Sequence, residues 1–442
     1  MTAAADSVYA LAPRWLVTMA PTGQVLEEHV VVVESGRVAA VLPRAELAGR
    51  YSGIDVRELP DHALMPGLIN MHTHSAMSLL RGLADDLPLM TWLEDHIWPA
   101  ETACVGHDYA RDGMELAVAE MLRCGVTCFN DNYFFPDIAA AVARKAGIRA
   151  TLGLPIIKVP TAWAKTADEY FSRGLEVYEE LRGDPLLRVA FAPHAPYTVS
   201  DESFTRISQL AAEMDVRVHL HLHETDGEVA SAVAMSGMRP MARMTQLGLM
   251  NERLIAVHMT QLNDAEIDQL VEHGVHVAHC PESNLKLGSG VCPTAELMAR
   301  GVNVCLGTDG AASNNDLDMW GEMRSAAFLA KGSSRDPQVL PAAEVLAMAT
   351  INGARALGIA DETGSIEVGK SADFCAINLD EPETQPVHHV ISTLVYAAAR
   401  HQVSDVWVAG RQLLAQRRLQ TLDEADIKRR AATWSERLKQ WA

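Results

Sequence analysis

Short apolar runs alternate with amphipathic stretches through the middle of the chain, from about residue 62 to about residue 360. Each apolar run has the length of a buried strand, and helical patterns such as residues 110–125 and 200–215 lie between the runs. The eight predicted strands are residues 64–74, 126–134, 149–157, 187–197, 216–224, 254–262, 275–283 and 302–310. Eight strands that alternate with helices over about 300 residues predict an α/β fold, the (β/α)8 TIM barrel.

Both ends of the chain have a different pattern, with β-rich runs and turn residues. Residues 29–43 read as two strands joined by a glycine-containing turn, and residues 364–379 and 403–420 return to β texture. Residues 423–440 predict an amphipathic helix. We therefore expect one small β-sandwich domain built from both chain ends and one barrel domain, with the division 1–61 and 362–442 for the former and 62–361 for the latter.

Ionisable side chains fall at the C-terminal ends of six of the eight predicted strands. They are His72 and His74; His194; His219, His221 and His223 with Glu224; His258; His279; and Asp309. Burying so many ionisable groups without partners is costly, whereas neutral imidazoles and a carboxylate are good ligands for a divalent ion. Barrel enzymes also place their chemistry at this end of the strands. The pattern predicts a metal site.

Several of these histidines have more than one interpretation. The pair His72 and His74 alone equally fits two hydrogen-bonded histidines at a strand end. His219 lies one pleat deeper than His221, and we expect it to be a packed, hydrogen-bonded core residue. His279 could orient a ligand or satisfy a backbone carbonyl, and the pattern does not choose. Because His221 and His223 point to the same face, alternation does not separate them either.

Charge and cysteine content narrow the class of partner. The formal charge of −20 over 442 residues disfavours DNA or RNA, but it allows a nucleoside, which carries no phosphate. No apolar segment reaches membrane-spanning length, and the N-terminus lacks the pattern of a secretory signal. The seven cysteines form no C-x-x-C pair, which favours reduced thiols. We expect a cytoplasmic protein with neither a nucleic-acid nor a membrane partner.

The chain resembles the amidohydrolase superfamily in motifs that span its length. The motifs are His72-Thr73-His74, HLHE at 221–224, VHMTQL at 257–262 and GTDGAASNNDLDM at 307–319. In that superfamily the matching positions bind the metal, which implies the ligands His72, His74, His221 and Asp309. The family spacing, in which the ligand precedes the glutamate by three residues, selects His221.

The resemblance also implies one metal ion rather than two. Binuclear members bridge their ions with a carboxylated lysine at the end of strand four, and residues 187–197 contain no lysine. We expect Zn²⁺ first, although Fe²⁺ and Mn²⁺ accept the same ligands. Mononuclear members are mostly deaminases, and a bound divalent ion lowers the pKa of a water molecule from about 16 toward about 7. The implied roles are a proton acceptor for Asp309, orientation of the attacking group for His258 and protonation of a ring nitrogen for Glu224.

A narrower resemblance is to the 5'-methylthioadenosine / S-adenosylhomocysteine deaminase family, through residues 72–101, 193–200 and 307–319. It implies deamination of 5'-methylthioadenosine to 5'-methylthioinosine and ammonia, with S-adenosylhomocysteine and adenosine as weaker substrates, by a homodimer or larger oligomer. It also implies substrate contacts. Glu101 would accept hydrogen bonds from the ribose hydroxyls, His194 would contact the purine or sugar, and Trp92 would wall the pocket. On sequence alone, Glu101 also fits a surface helix and Trp92 a core position.

One departure bears on the substrate. Members that take S-adenosylhomocysteine offer arginines after strand three, whereas residues 151–165 contain lysines and no arginine. Because lysine does not replace the bidentate grip of arginine on a carboxylate, we expect a preference for the uncharged methylthio tail. The main alternative is a guanine, cytosine or triazine aminohydrolase or chlorohydrolase on the same scaffold, which would act on free bases and give Glu101 no role. A non-catalytic relative and a two-metal amide hydrolase are further alternatives.

Overall fold

The computed structural model describes residues 8–441, and the described chain begins with five strands. These are β1 (Val8–Val17), β2 (Val25–Glu27), β3 (His29–Glu34), β4 (Arg37–Pro43) and β5 (Asp55–Pro66). Side chains alternate along β1, so that Tyr9 and Leu11 enter one apolar cluster while Ala10 and Ala12 enter another on the opposite face. The predicted turn between β3 and β4 contains Gly36 with a φ of 79°, in the left-handed region that glycine adopts without strain.

The barrel follows. Its strands are β6 (Leu68–Thr73), β7 (Val126–Asp131), β8 (Arg149–Ile156), β9 (Leu187–Pro193), β10 (Arg217–Leu222), β11 (Leu254–His258), β12 (His276–His279) and β13 (Val304–Leu306). They pair in parallel and in chain order, and each lies within one of the eight predicted runs. The first and last strands meet where the Asp309 amide donates to the His72 carbonyl at 2.9 Å. The predicted (β/α)8 barrel is confirmed.

Helices connect the barrel strands, and short helices lie within the connecting segments. A short helix, α1 (Leu47–Arg50), lies between β4 and β5. The helices that follow β6 are α2 (Leu89–Thr91), α3 (Trp98–Cys104), α4 (His107–Cys124), α5 (Pro136–Ala146), α6 (Ala167–Leu181), α7 (Asp201–Met214), α8 (Asp226–Ser236), α9 (Pro240–Gln246), α10 (Asp264–His273), α11 (Pro281–Lys286), α12 (Thr294–Ala299), α13 (Ala311–Asn314), α14 (Met319–Ser334), α15 (Ala342–Met348) and α16 (Ile351–Leu357). The two predicted helical patterns correspond to α4 and α7. The Ser200 side chain caps α7 by accepting from the Ser203 amide.

The C-terminal part returns to the small domain. Its elements are β14 (Phe374–Asn378), α17 (Val390–Tyr396), β15 (Val403–Val408), β16 (Arg411–Ala415), β17 (Arg418–Leu419) and α18 (Glu424–Leu438). Within residues 8–441, nine strands from the N- and C-terminal parts form one mixed sheet, in which β14 pairs with β5. The sheet provides the small sandwich domain that the sequence predicts.

The last helix, α18, packs on the barrel. Trp434 in α18 donates from Nε1 to Asp112 Oδ2 of α4 at 2.9 Å, and Arg430 pairs with Asp112 and Glu115. Strand β5 also continues through residue 61. The division of the chain at 61/62 and 361/362 stays a prediction. No helix within residues 8–441 is both long and apolar enough to cross a bilayer.

Candidate active site

Four side chains converge at the C-terminal end of the barrel. His72 Nε2 and His74 Nε2 each lie 3.2 Å from Asp309 Oδ1, and His221 Nε2 lies 3.2 Å from both of those nitrogens. A tetrahedron with ligand atoms about 2.0–2.1 Å from a central zinc has edges of about 3.3 Å. The four separations given above match such edges. Ligand atoms that lie within 4.8 Å of one another form two groups that share His72, namely His72 with His74 and Asp309, and His72 with His221 and His258, and each group could hold a metal ion.

Backbone carbonyls fix the orientation of two of these rings. His74 Nδ1 donates to the Asn132 carbonyl at 2.5 Å, and His221 Nδ1 donates to the His194 carbonyl at 2.5 Å. With the proton held on Nδ1, each ring presents the lone pair of Nε2 to the cluster. Such bonds fix the tautomer of a metal-binding histidine and raise its basicity.

The other two members of the cluster are held by side chains. His72 Nδ1 lies 2.9 Å from His219 Nε2, so the expected core histidine is packed directly behind His72. Asp309 Oδ2 accepts from Ser283 Oγ at 2.7 Å, which leaves Oδ1 directed at His72 and His74. Ser283 follows the seventh barrel strand, and the sequence patterns did not identify it.

The electrostatics of the cluster favour neutral His72 and His221 rings, an ionised Asp309 and a protonated His74, whose extra proton a metal ion would displace on binding. Burial lowers the pKa of His72 to about 4 and, reinforced by the neighbouring histidines, holds the pKa of His221 well below its usual value. Burial opposes ionisation of Asp309, but hydrogen bonds from His72 and His74 outweigh it and hold its pKa well below the ordinary range. Burial lowers the pKa of His74 too, yet the bond to Asp309 raises it to about 9. Neutral imidazoles and a carboxylate are the donor set that a divalent ion takes.

Glu224 and His258 lie beside the four-residue cluster. His258 Nε2 is 3.8 Å from Glu224 Oε2, and the His258 ring stacks against His221 with centroids 5.5 Å apart. His258 Nδ1 bonds to Asn284 Oδ1 at 2.9 Å, which orients Nε2 toward the cavity. Burial raises the pKa of Glu224 above its ordinary value, with a smaller opposing contribution from His258. A carboxyl in such a place can hold a proton and donate it.

The backbone decides which histidine of β10 joins the cluster. Strand β10 ends at Leu222, and His223 adopts a φ of 53°, in the left-handed region. His223 therefore leaves the alternation of the strand: its Nδ1 lies 3.0 Å from the Gln261 carbonyl, and its Nε2 accepts from the Met241 amide at 3.1 Å. Alternation could not separate His221 from His223, but this turn does.

Left-handed backbone recurs at two more residues of the site, His258 with a φ of 74° and Asp309 with a φ of 63°. This conformation costs about 1–2 kcal/mol per residue that carries a side chain. Strain of this kind is held at functional sites by the surrounding structure. Here it aims a side chain from the end of β11 and another from just beyond β13 into the same space.

A cavity of about 580 Å³ opens on the cluster. This volume lies within the range of about 300–1,000 Å³ that small-molecule sites occupy. The sequence-predicted site residues that line it are His74, Trp92, Glu101, His194, His221, Glu224, His258 and Asp309. The structure thus brings the predicted substrate contacts to the same cavity as His74, His221 and Asp309, whereas His72 is fully buried and does not line it.

Comparison with known proteins agrees with this geometry. The model of the amidohydrolase family matches residues 63–413, which is most of the chain. This chain belongs to the amidohydrolase family. A 5-methylthioadenosine/S-adenosylhomocysteine deaminase from Teredinibacter turnerae is 47% identical over 97% of both chains. A 5'-deoxyadenosine deaminase from Methanothermobacter thermautotrophicus is 45% identical over 89% of this chain and 91% of its own.

A solved structure extends the comparison to three dimensions. The crystal structure of an adenosine deaminase from Xanthomonas campestris with bound zinc superposes with a TM-score of 0.96, at 54% identity over 98% of this chain and 99% of its own. The resemblance inferred from the motifs is therefore confirmed at the level of the family.

Glu101 and Trp92 enter the cavity of this amidohydrolase from the long segment after β6. Glu101 lies in α3 and accepts a hydrogen bond from Tyr133 Oη at 2.5 Å. Burial raises the pKa of Glu101, and the bond from Tyr133 opposes that rise in part. Trp92 begins a π-helical turn, Trp92–Ile97, a distortion often found at functional sites, and is only 5% exposed. Glu101 lines the cavity and is partly buried, whereas a residue on an outer helix surface, the alternative that the sequence left open, would face solvent.

Tyr133 was not singled out from the sequence. The signal that could have identified Tyr133 is its place just after the second barrel strand, at the same end as the histidines.

His194 bonds through Nδ1 to Thr198 Oγ1 at 2.9 Å, and its ring meets Tyr197 edge-on. His279 is buried, and burial lowers its pKa to about 3. Its Nδ1 finds no hydrogen-bond partner within residues 8–441.

The last residue of β8 and the segment after it form an apolar wall of the cavity. Ile156, Ile157, Val159 and Pro160 belong to it. The two lysines of this segment turn to backbone carbonyls: Lys158 Nζ donates to Tyr197 at 2.8 Å, and Lys165 Nζ donates to Thr161. No arginine lines the cavity in the part of the chain that the structure describes.

Proposed function

We propose that this amidohydrolase is a metal-dependent aminohydrolase that converts 5'-methylthioadenosine to 5'-methylthioinosine and ammonia. The observation that carries the proposal is one cavity that adjoins the cluster of His72, His74, His221 and Asp309 and is lined by two partly buried carboxyls, Glu224 and Glu101. The names of the relatives at 45–47% identity support a 5'-modified adenosine as substrate.

The metal is proposed to be one divalent ion, held by His72, His74, His221 and Asp309. Zinc is the first candidate, because zinc is bound in the Xanthomonas structure, and Fe²⁺ and Mn²⁺ are compatible with the same donors. Strand β9 is Leu187–Pro193 and has no lysine to bridge a second ion. When bound, the ion supplies the Lewis acidity that brings the pKa of water toward about 7.

The protein side chains then move the protons. Asp309 accepts the proton that water gives up, and His258, oriented by Asn284, holds the attacking oxygen in place. Glu224 donates its proton to the ring nitrogen next to the carbon under attack. The amino group takes up the proton held by Asp309 and leaves that carbon as ammonia, while the added hydroxyl gives its proton to Glu224 as the carbonyl forms. General acid–base groups of this kind each contribute about 10²–10⁴-fold to the rate.

The 5' tail is proposed to lie against the apolar wall after β8. Ile156, Ile157 and Val159 offer contact to a methylthio group, whereas neither lysine of the segment provides the bidentate geometry that a carboxylate prefers. We therefore expect S-adenosylhomocysteine and adenosine to be weaker substrates. A kcat/KM for S-adenosylhomocysteine equal to or above that for 5'-methylthioadenosine would contradict this preference.

An ammonia-release assay tests the proposed reaction. The substrates to compare are adenosine, its 5'-methylthio and 5'-deoxy analogues, S-adenosylhomocysteine, adenine, guanine and cytosine. The proposal predicts the highest kcat/KM for 5'-methylthioadenosine and little turnover of free bases. Higher activity on guanine, cytosine or another free base would favour the alternative base aminohydrolase, for which the carboxyl of Glu101 in the cavity wall has no function.

The assembly and location of the protein are proposed as a homodimer or larger oligomer in the cytoplasm, with no nucleic-acid or membrane partner. The seven free cysteines, six of them buried, support a reducing compartment. Light scattering after size-exclusion chromatography measures the oligomeric state. A monomer at micromolar concentration would contradict the proposed assembly.

A further inference from the structure

His219 has an unusual place behind the metal-type cluster. Its side chain is fully buried, and its Nε2 lies 2.9 Å from His72 Nδ1. The rings of the two histidines meet edge-on, with centroids 4.9 Å apart. His74 and His221 use backbone carbonyls for the same purpose, so His72 is the member of the cluster whose second nitrogen is held by a side chain.

The direction of this hydrogen bond follows from the role of His72. A ring that gives its Nε2 lone pair to a metal ion carries its proton on Nδ1. The Nδ1 proton of His72 then points at His219 Nε2, which accepts it. The single N–H proton of the neutral His219 ring must therefore be on Nδ1. That atom is buried without a hydrogen-bond partner within residues 8–441.

A buried N–H without a partner is a costly arrangement for a histidine that only fills space. An aliphatic or phenyl side chain would fill the same volume without that cost. The geometry points to His219 as a positioning residue that accepts the His72 Nδ1 proton and so holds His72 Nε2 ready for the divalent ion. It does not touch substrate or ion, and its effect on them is exerted through His72.

This inference rests on the proposed metal site, and a binding measurement tests it separately from activity. Zn²⁺ affinity is measured by competition with a chromophoric chelator on the metal-stripped full chain. His219→Phe keeps the ring volume but removes the acceptor, and we expect its affinity to fall about 10–100-fold. His219→Gln can place Oε1 where Nε2 was, and we expect it to restore most of the affinity. His219→Asn is too short to reach His72 and should behave like the phenylalanine variant.

His223→Phe is the matched control, because His223 is also buried at the end of β10 and bonds to Gln261 and Met241 instead of the cluster. It should bind Zn²⁺ as the wild type does. Urea unfolding of the metal-stripped variants separates a loss of fold from a loss of affinity. Zn²⁺ affinity equal to that of the wild type in His219→Phe and His219→Asn would overturn the inference. So would a loss of Zn²⁺ affinity in His219→Gln or His223→Phe as large as that in His219→Phe. A wild type that binds no divalent ion would overturn the proposed function itself.

Discussion

The substitution Glu224→Gln tests the proposed proton donor. Glutamine preserves the shape of the side chain and can still form hydrogen bonds, but it has no acidic proton to give to the ring nitrogen. The Glu224 side chain is 12% exposed and lies 3.8 Å from His258, outside the four-atom cluster, so the variant should keep the metal ion. Loss of a general acid costs about 10²–10⁴-fold in kcat, which corresponds to about 3–5 kcal/mol of barrier.

Ammonia release from saturating 5'-methylthioadenosine gives kcat, and metal analysis of the same preparation gives the content of bound ion. We expect kcat to fall by the stated factor, with KM changed only a few fold and the metal content unchanged. Since burial raises the pKa of Glu224, the protonated acid persists to higher pH than for an exposed carboxyl, and wild-type kcat should decline on the alkaline side. A fully active glutamine variant would refute the assignment, and so would a variant that is inactive because it has lost its ion.

Three further substitutions address neighbouring groups. Glu101→Gln removes a charged acceptor for the ribose hydroxyls, so kcat/KM for the nucleoside should fall about 10–100-fold. This factor is expected for the loss of about 1.5–3 kcal/mol of charge-assisted hydrogen bonding. An unchanged kcat/KM would show that Glu101 does not contact ribose. Asn284→Ala removes the acceptor for His258 Nδ1 and should lower kcat without lowering metal content; loss of the ion would instead place Asn284 in metal binding. Burial raises the pKa of Glu228 from 4.5 to about 7. Between these two pH values the folded protein binds a proton at Glu228 that the unfolded chain releases. The free energy of unfolding of the protein therefore falls as the pH rises from about 4.5 to about 7. In urea titrations Glu228→Gln should therefore gain up to about 3 kcal/mol on the wild type between about pH 4 and about pH 8, and a constant difference would contradict the raised pKa.

Much of the barrel could be predicted because each of its strands has a local pattern in the sequence. Each of β6 to β13 is a short apolar run bounded by helical pattern, and parallel strands put their C-terminal ends at one edge. The positions of His72, His221 and Asp309 follow from that rule alone. The family spacing selects His221 rather than His223 as the metal ligand of β10. The left-handed turn at His223 gives the physical reason for that choice.

Other features of the site depend on contacts that no local pattern encodes. The bond between His72 and His219 joins residues on β6 and β10, and its donor and acceptor become evident only when the two rings face each other. Ser283 and Tyr133 are ordinary loop residues in sequence, and their partners Asp309 and Glu101 lie far away in the chain. The packing of α18 on α4 likewise depends on Arg430 and Trp434 meeting Asp112, a pairing of residues more than 300 positions apart.

Anomalous diffraction at the zinc absorption edge, on crystals of the purified protein, tests the central claim most directly. The account predicts one peak per chain, surrounded by Nε2 of His72, His74 and His221 and by Oδ1 of Asp309. Two peaks in the cavity, or a single ion bound away from these four atoms, would contradict it.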